Sequence, residues 1–403
     1  MRTPQEAIAD ILAHIEPLTD TERVPLAEAR GRVLARAVTS DVDLPPFEKA
    51  MMDGIALRAE DAAEGPWDLE LVGESRAGVA FDGQLGPGQV IRIYTGAELC
   101  AGADAVEMVE KVREEDGRVH GSGAIAAGQH VSHRAEILEV GRTVLSAGRR
   151  VDAVDLTLLA AVGADPVEVV RRPRITVLTT GDELVPPSAK PGPAQIREGN
   201  TIFLSAAAAA DSPGALLLEV GIVPDDPAEL EARFARALDE GDVLVTTGGV
   251  SMGKYDLVGD CLEKVGVEPI LHKVAIKPGK PIWFGKRGDK PVFGLPGNPS
   301  AVLVCYLMLV LPALRRCCGA ENVLPEPFRL PADFSVKKAG KRQEYLRVRC
   351  VPKNGNLVLE KHPNQSSGML SSAVWADGLA VVPVNEAVFP GDVLDYFSFA
   401  DLL

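Results

Sequence analysis

Four short apolar runs constrain this chain more than any other feature, because each stops at a polar turn and a helical pattern follows. Ile175-Thr176-Val177-Leu178-Thr179-Thr180 breaks at Gly181-Asp182-Glu183, and the run from Ala215 to Val223 breaks at Pro224-Asp225-Asp226-Pro227. Val243-Leu244-Val245-Thr246-Thr247 breaks at Gly248-Gly249-Val250-Ser251, and Pro291-Val292-Phe293-Gly294-Leu295 at Pro296-Gly297-Asn298-Pro299. Their length and β-branching read as buried strands. Alternation with helices predicts a parallel sheet covered on both faces. In such a sheet the strand ends share one edge, where open α/β proteins bind ligands. One site is therefore expected, in which carboxylates, glycine-rich backbone and hydroxyls meet.

The rest of the chain reads differently. Its 403 residues exceed a single core, so two to four domains are expected. Residues 1–40 look helical, with Thr3-Pro4-Gln5-Glu6 as a capping box ahead of an apolar stripe at Ile8, Ile11, Leu12 and Ile15. From about 42 to 137, and again after about Pro325, short β-like runs are punctuated by glycine and proline, which suggests small antiparallel barrels. Residues 150–165 return to helical spacing and end at Gly163. The apolar run from Ala301 to Leu314 falls short of a ~20-residue membrane span and reads as a buried helix. With 42 Lys+Arg against 57 Asp+Glu, the net charge of −15 argues against nonspecific nucleic-acid or anionic-membrane binding. Any anionic ligand must then be met by local cations or backbone N–H groups. The six cysteines show no C-x-x-C spacing, which points away from structural zinc and disulfides and fits a reducing cytoplasm.

Local cations and N–H groups are present. Gly248-Gly249 followed by Ser251, and Pro296-Gly297-Asn298-Pro299 opening a helix, offer free amides and a positive dipole end. Lys273, Lys277 and Lys280 cluster near by, and Lys277-Pro278-Gly279-Lys280-Pro281 is stiffened by two prolines. Asp182, Glu183, Asp225, Asp226 and Asp256 would suit a hard cation such as Mg²⁺ bound to a substrate phosphate. Asp226 is also placed to cap a helix with Glu229, and which of Asp225 and Asp226 faces a metal is left open. Two lookalikes are set aside. Gly248 to Lys254 fits the first seven places of a P-loop, but Tyr255 stands where a Mg²⁺-binding hydroxyl belongs. Gly121-Ser122-Gly123 opens no convincing helix, and His130 with His133 lacks further ligands.

Taken together, these segments resemble the MoeA-type molybdopterin molybdenumtransferases, which include the E domain of gephyrin. The resemblance rests on residues 45–56 (PPFEKAMMDGIA), Ile93-Tyr94-Thr95-Gly96, Thr180 to Leu184, Gly248 to Gly253, Ala275 to Pro281 and Gly294 to Pro299. They run in family order and, with the tail, cover nearly the whole chain. The resemblance implies a multidomain α/β plus β fold: an elongated helical domain (1–41 and 138–172), an inserted β domain (42–137), a MogA-like α/β domain with a parallel-rich sheet (173–323) and a C-terminal β-barrel (324–403). It implies a homodimer with each active site in a cleft between subunits. The implied reaction inserts molybdate into adenylylated molybdopterin, with Mg²⁺-dependent cleavage of the adenylate and release of AMP.

By the same resemblance, Asp53 and Thr95 come from the inserted domain. Glu183, Asp225 or Asp226, and Asp256 match acidic positions, Lys273 and Lys277 match anion-binding lysines, and Arg347 and Ser367 match tail positions at the same cleft. Gly248, Gly249, Ser251, Lys280, Pro296, Gly297 and Asn298 are expected to line it. The chain departs from the family where serine is usual (Ala50), where an aromatic is usual (Ile55), where an acid is common (Lys254) and where an Arg-Gly-Glu-Asp stretch reads Arg134-Ala135-Glu136-Ile137. Two rival readings are a molybdopterin adenylyltransferase and a catalytically weakened gephyrin-like scaffold. A MogA-like adenylyltransferase and molybdoenzymes are the expected protein partners. Molybdate and tungstate, both tetrahedral dianions of nearly equal size, are not separable from sequence.

Overall fold

The computed structural model describes residues 1–210, 215–250, 257–337 and 340–402. The chain forms two compact units, one of residues 37–146 with 157–165, the other of residues 1–36, 147–156 and 166–402. The smaller is built on a six-stranded sheet of β1 (Gly54–Leu57), β2 (Trp67–Ser75), β3 (Gln89–Ile93), β4 (Ala105–Met108), β5 (Val112–Glu115) and β6 (Arg118–Gly121), in the order β4-β1-β3-β2-β6-β5. All its pairings are antiparallel except β2 with β3. The register sets Gly54 opposite Ile93, which brings the turn before β1 beside the turn after β3. No helix follows Gly121-Ser122-Gly123, so the dinucleotide-like spacing there has no phosphate-binding helix end.

The larger unit holds the α/β sheet. Its strands are β7 (Arg174–Thr180), β8 (Leu216–Val223), β9 (Val243–Thr247), β10 (Glu268–His272), β11 (Trp283–Arg287) and β12 (Lys290–Leu295), in the order β8-β7-β9-β12-β11-β10. The four strands that precede the polar turns are mutually parallel, as the alternation of strand and helix predicts. The other two are antiparallel, so the sheet is mixed. β11 and β12 are joined by a short hairpin and β10 reaches β11 through residues 273–282, so neither connection is a crossover helix. Helices α1 (Pro4–Ala13), α2 (Asn200–Ala210), α3 (Pro227–Glu240), α4 (Leu257–Lys264) and α5 (Pro299–Cys317) complete this part.

The capping box of α1 forms as expected, Thr3 accepting from Glu6 N–H and Glu6 from Thr3 N–H. The first forty residues are otherwise less helical than their spacing suggests. After α1 they hold one four-residue helical turn and strands, among them Thr21–Val24, which pairs antiparallel with Val167–Val170. The helix expected over 150–165 forms over Ala153–Ala161.

Helix α5 is buried, as expected, but is longer than the apolar run from Ala301 to Leu314 implied. At 19 residues it is long and apolar enough to span a membrane, but 89% of it is buried inside the protein, between α1 and the sheet. It widens to π geometry over Tyr306–Val310, immediately ahead of Pro312. Proline supplies no N–H and its ring crowds the carbonyl four residues earlier, which is the physical cause of such a widening.

The tail forms a second sheet from β13 (Phe328–Pro331), β14 (Gln343–Lys353), β15 (Asn356–Lys361), β16 (Gly378–Val382) and β17 (Val393–Ser398). The short segment Ile276–Lys277, which leaves the α/β sheet after β10, joins β14 in parallel and sets Lys277 opposite Glu344. All six cysteines are free, and five are buried. Burial pushes the thiols of Cys305 and Cys317 up to about 12.

Candidate active site

The turns after β7, β9 and β12 meet at one edge of the sheet and enclose a cavity of about 420 Å³, within the range of small-ligand sites. Gly181, Glu183, Asp225, Gly248, Gly249, Gly297 and Asn298 line it. Gly248 and Gly249 have φ of +91° and +58°, a region glycine enters freely. A Cβ on Gly248 would stand 2.3 Å from the Thr180 carbonyl oxygen, so only glycine lets β9 turn this close to β7. Likewise a Cβ on Gly181 would stand 2.7 Å from the Glu183 carboxylate, which curls back over it.

The two aspartates expected as alternatives separate cleanly. Asp225 lines the cavity, accepts a hydrogen bond from Thr180 Oγ1, and its N–H donates to Asp182 Oδ1 at 3.2 Å. Asp226 instead caps α3, accepting from Glu229 N–H at 2.9 Å. Among the described residues, Glu183 and Asp225 are thus the expected metal ligands that face the space. No group of three or more His, Cys, Asp or Glu side chains is gathered as a metal site among the described residues. Two carboxylates beside an open cavity are a donor set that would suit a hard divalent cation such as Mg²⁺. Ser251, Lys254 and Asp256 lie outside the described residues.

A second cavity, also about 420 Å³, is lined by Lys277, Pro278, Gly279, Lys280, Pro281, Pro296, Asn298, Arg342, Gln365, Ser366 and Ser367. It is cationic where the first is anionic, and Asn298 borders both. Lys277 Nζ lies 2.8 Å from Glu344. Asn298 Nδ2 donates to Ser367 Oγ at 3.2 Å, which ties the helix entrance to the tail. Lys273 lines neither cavity; it sits half-buried at φ +69°, its N–H bonded to the Ile282 carbonyl.

Arg347 also lines neither cavity, contrary to expectation. It is 1% exposed, and donates to Ser372 Oγ at 3.1 Å and to the Ser366 carbonyl at 3.0 Å. It braces the Ser366–Ser367 turn from beneath, while Arg342 lines the cavity and donates from Nη1 to the Ile276 carbonyl at 3.4 Å. Sequence reasoning also passed over Arg197, Glu198 and Asn200 on the wall of the first cavity. Glu198 is buried and accepts from both N–H and Oγ1 of Thr201, each at 2.7 Å, which fixes the start of α2. The Arg197-Glu198-Gly199-Asn200 run just before a helix was the available signal.

In the smaller unit, Asp53 and Thr95 come together as the register requires. Asp53 Oδ1 accepts from Thr95 N–H and Oγ1, both at 2.7 Å, and these two donors, the amide foremost, hold its carboxyl below the usual range. Ala50 and Ile55 are buried in this unit's core. Ile137, where the family carboxylate is missing, is exposed, and neighbouring Glu136 is taken up by Ser132 Oγ and His133 N–H. His133 pairs with Glu48 at 2.7 Å, an ordinary surface contact.

Comparison with known proteins identifies the family. Residues 2–163 match the MoeA N-terminal region (domain I and II), 176–316 the probable molybdopterin binding domain, and 329–399 the MoeA C-terminal region (domain IV). The chain is 35% identical over 395 residues to the molybdopterin molybdenumtransferase of Nostoc sp., covering 96% of this chain and 90% of that one. It is 33% identical over 407 residues to the enzyme of that name from Haemophilus influenzae, covering 100% of both. Among solved structures it is similar to a molybdopterin biosynthesis MoeA protein from Pyrococcus horikoshii, at 31% identity and a TM-score of 0.82 over 98% of each chain.

Proposed function

The chain belongs to the MoeA family of molybdopterin molybdenumtransferases and is an enzyme of molybdenum cofactor biosynthesis; from that premise we propose how its residues divide the work of inserting molybdate into adenylylated molybdopterin. The observation that carries the proposal is the adjacency of a carboxylate-lined and a lysine-lined cavity across the single turn at 296–298. Cleaving a phosphoanhydride to release AMP needs positioning and charge neutralisation more than a protein nucleophile. The first cavity suits that task. Glu183 and Asp225 would hold Mg²⁺, which supplies charge neutralisation at the phosphates when bound, and the Gly248-Gly249 turn lets backbone approach the substrate. Asp256 and Ser251 are proposed to complete this side.

The second cavity suits molybdate. Lys277, Lys280 and Arg342 bring fixed positive charge, and Ser367 a hydroxyl. Glu344 holds Lys277 in one orientation, which lowers the entropy lost on binding a dianion. Lys273 and Arg347 act one layer back on this reading, Arg347 through the Ser366–Ser367 turn.

We propose in addition the four-domain division given above, a homodimer in which Asp53 and Thr95 of one subunit serve the cleft of the other, and a cytoplasmic location. The test is direct. Purified protein with adenylylated molybdopterin, Mg²⁺ and molybdate should release AMP in a molybdate-dependent way, with tungstate as a parallel arm. ATP consumption with free molybdopterin would support an adenylyltransferase instead. A folded dimer without turnover would support the scaffold reading.

A further inference from the structure

Peptide geometry at the turn between the two cavities points to a role for Asn200 and Thr247, to which no part in the reaction has yet been given. Asn200, at the start of α2, donates from Nδ2 to the Gly297 carbonyl at 2.8 Å and to Thr247 Oγ1 at 3.3 Å. Thr247, the last residue of β9 and fully buried, donates from Oγ1 to the Pro296 carbonyl at 2.8 Å. Two consecutive carbonyls are thus drawn toward one side. In a trans peptide the N–H points opposite to the C=O, so the amides of Gly297 and Asn298 face the other way. No described residue accepts a hydrogen bond from either of them.

Two successive N–H groups with no acceptor among the described residues make a concave donor pair for an anionic oxygen; Gly297 lines the first cavity and Asn298 borders both. We propose that Asn200 and Thr247 are positioning residues that hold the Pro296–Asn298 turn with its amides open, and that these amides bind an oxygen of a tetrahedral oxyanion, either a phosphoryl group or molybdate. The proposal rests on the functional reading above and adds to it the residues that preorganise the anion site. Donor identity decides the geometry. Only the –NH₂ end of Asn200 can meet the Gly297 carbonyl, so an isosteric carboxylate at 200 would repel that carbonyl and release the peptide plane.

The test uses the full chain with Asn200→Asp, Thr247→Val and the conservative Thr247→Ser, each checked for an unchanged Tm. Titration calorimetry would measure AMP, adenosine and molybdate in turn. Loss of one backbone hydrogen bond to a charged oxygen predicts about tenfold weaker anion binding in the Asp and Val variants. Thr247→Ser should bind as wild type, and adenosine affinity should not change in any variant. A selective loss for AMP would identify the anion as the phosphoryl group; a selective loss for molybdate would identify the oxyanion substrate. Equal loss of AMP and adenosine, or no loss of any ligand, would overturn the proposal while leaving the assigned reaction standing. Wild-type protein that binds neither AMP nor molybdate would overturn both.

Discussion

Asp242 offers a way to separate the stability of the α/β sheet from the chemistry at its far edge. It immediately precedes β9, at the end of the strand opposite the Gly248-Gly249 turn. Arg171 grips its carboxylate with two bonds of 2.6 and 2.9 Å, and the Arg174 N–H adds a third at 2.7 Å. Burial alone would raise the carboxyl pKa, but these bonds overcome it and hold the group at about 2 against an ordinary 3.8. At about 1.4 kcal/mol per pH unit, that depression contributes about 2 kcal/mol of stability near neutrality. The folded value lies below the unfolded one, so the contribution is complete above about pH 4 and drains away as pH falls from 4 toward 2. Asp242→Asn should cost about 2–4 kcal/mol at pH 7, because it also strips the Arg171 guanidinium of its main counter-charge. Urea unfolding followed by the buried Trp283 on β11 would measure both effects. Wild type should lose about 2 kcal/mol more than the variant between pH 5 and 2. Equal acid sensitivity in the two proteins, or a cost below about 0.5 kcal/mol at pH 7, would refute the reasoning. Turnover per folded molecule should be unchanged, since no atom of the ion pair lines either cavity.

Other substitutions probe the site itself. Gly248→Ala places a methyl 2.3 Å from the Thr180 carbonyl at φ +91°; it should lower Tm and abolish AMP release, and a normal melting curve with normal rate would contradict the close approach. Lys277→Ala should raise the KM for molybdate at least about tenfold and leave that for adenylylated molybdopterin unchanged, as steady-state kinetics with each substrate varied would show. Glu183→Gln should raise the Mg²⁺ concentration needed for half-maximal turnover by about tenfold; an unaltered requirement removes it from the ligand set. Thr95→Val deletes one of the two donors to Asp53. The carboxyl should titrate at a higher pH by NMR and turnover should fall, with Tm unmoved.

The four strand-end turns were legible because each carries its own signal: a β-branched run, then residues that cannot continue a strand. Asp225 and Asp226 show where local reading stops, since both fit a helix start and only the fold decides that 226 caps while 225 faces the cavity. Arg342, Gln365 and Ser366 were missed for a different reason. They reach the second cavity from the loops before β14 and after β15, because Ile276–Lys277 adds itself to β14, and no periodicity announces such a long-range pairing. Arg347 differs from expectation because nothing in the sequence marks Gln343 to Val348 as buried throughout; in the structure its guanidinium is satisfied inside rather than offered to a ligand.

The state of the cysteines bears on what this protein can safely handle. A thiol that ionises only near pH 12, as at Cys305 and Cys317, is at neutral pH a small inert hydrophobe rather than a nucleophile or soft ligand. Cys305 lies directly under the cationic cavity, its Sγ 3.6 Å from the Gly279 carbonyl. Sulfur is therefore close beneath the proposed molybdate pocket, yet in a protonation state that offers no ligand to a thiophilic metal.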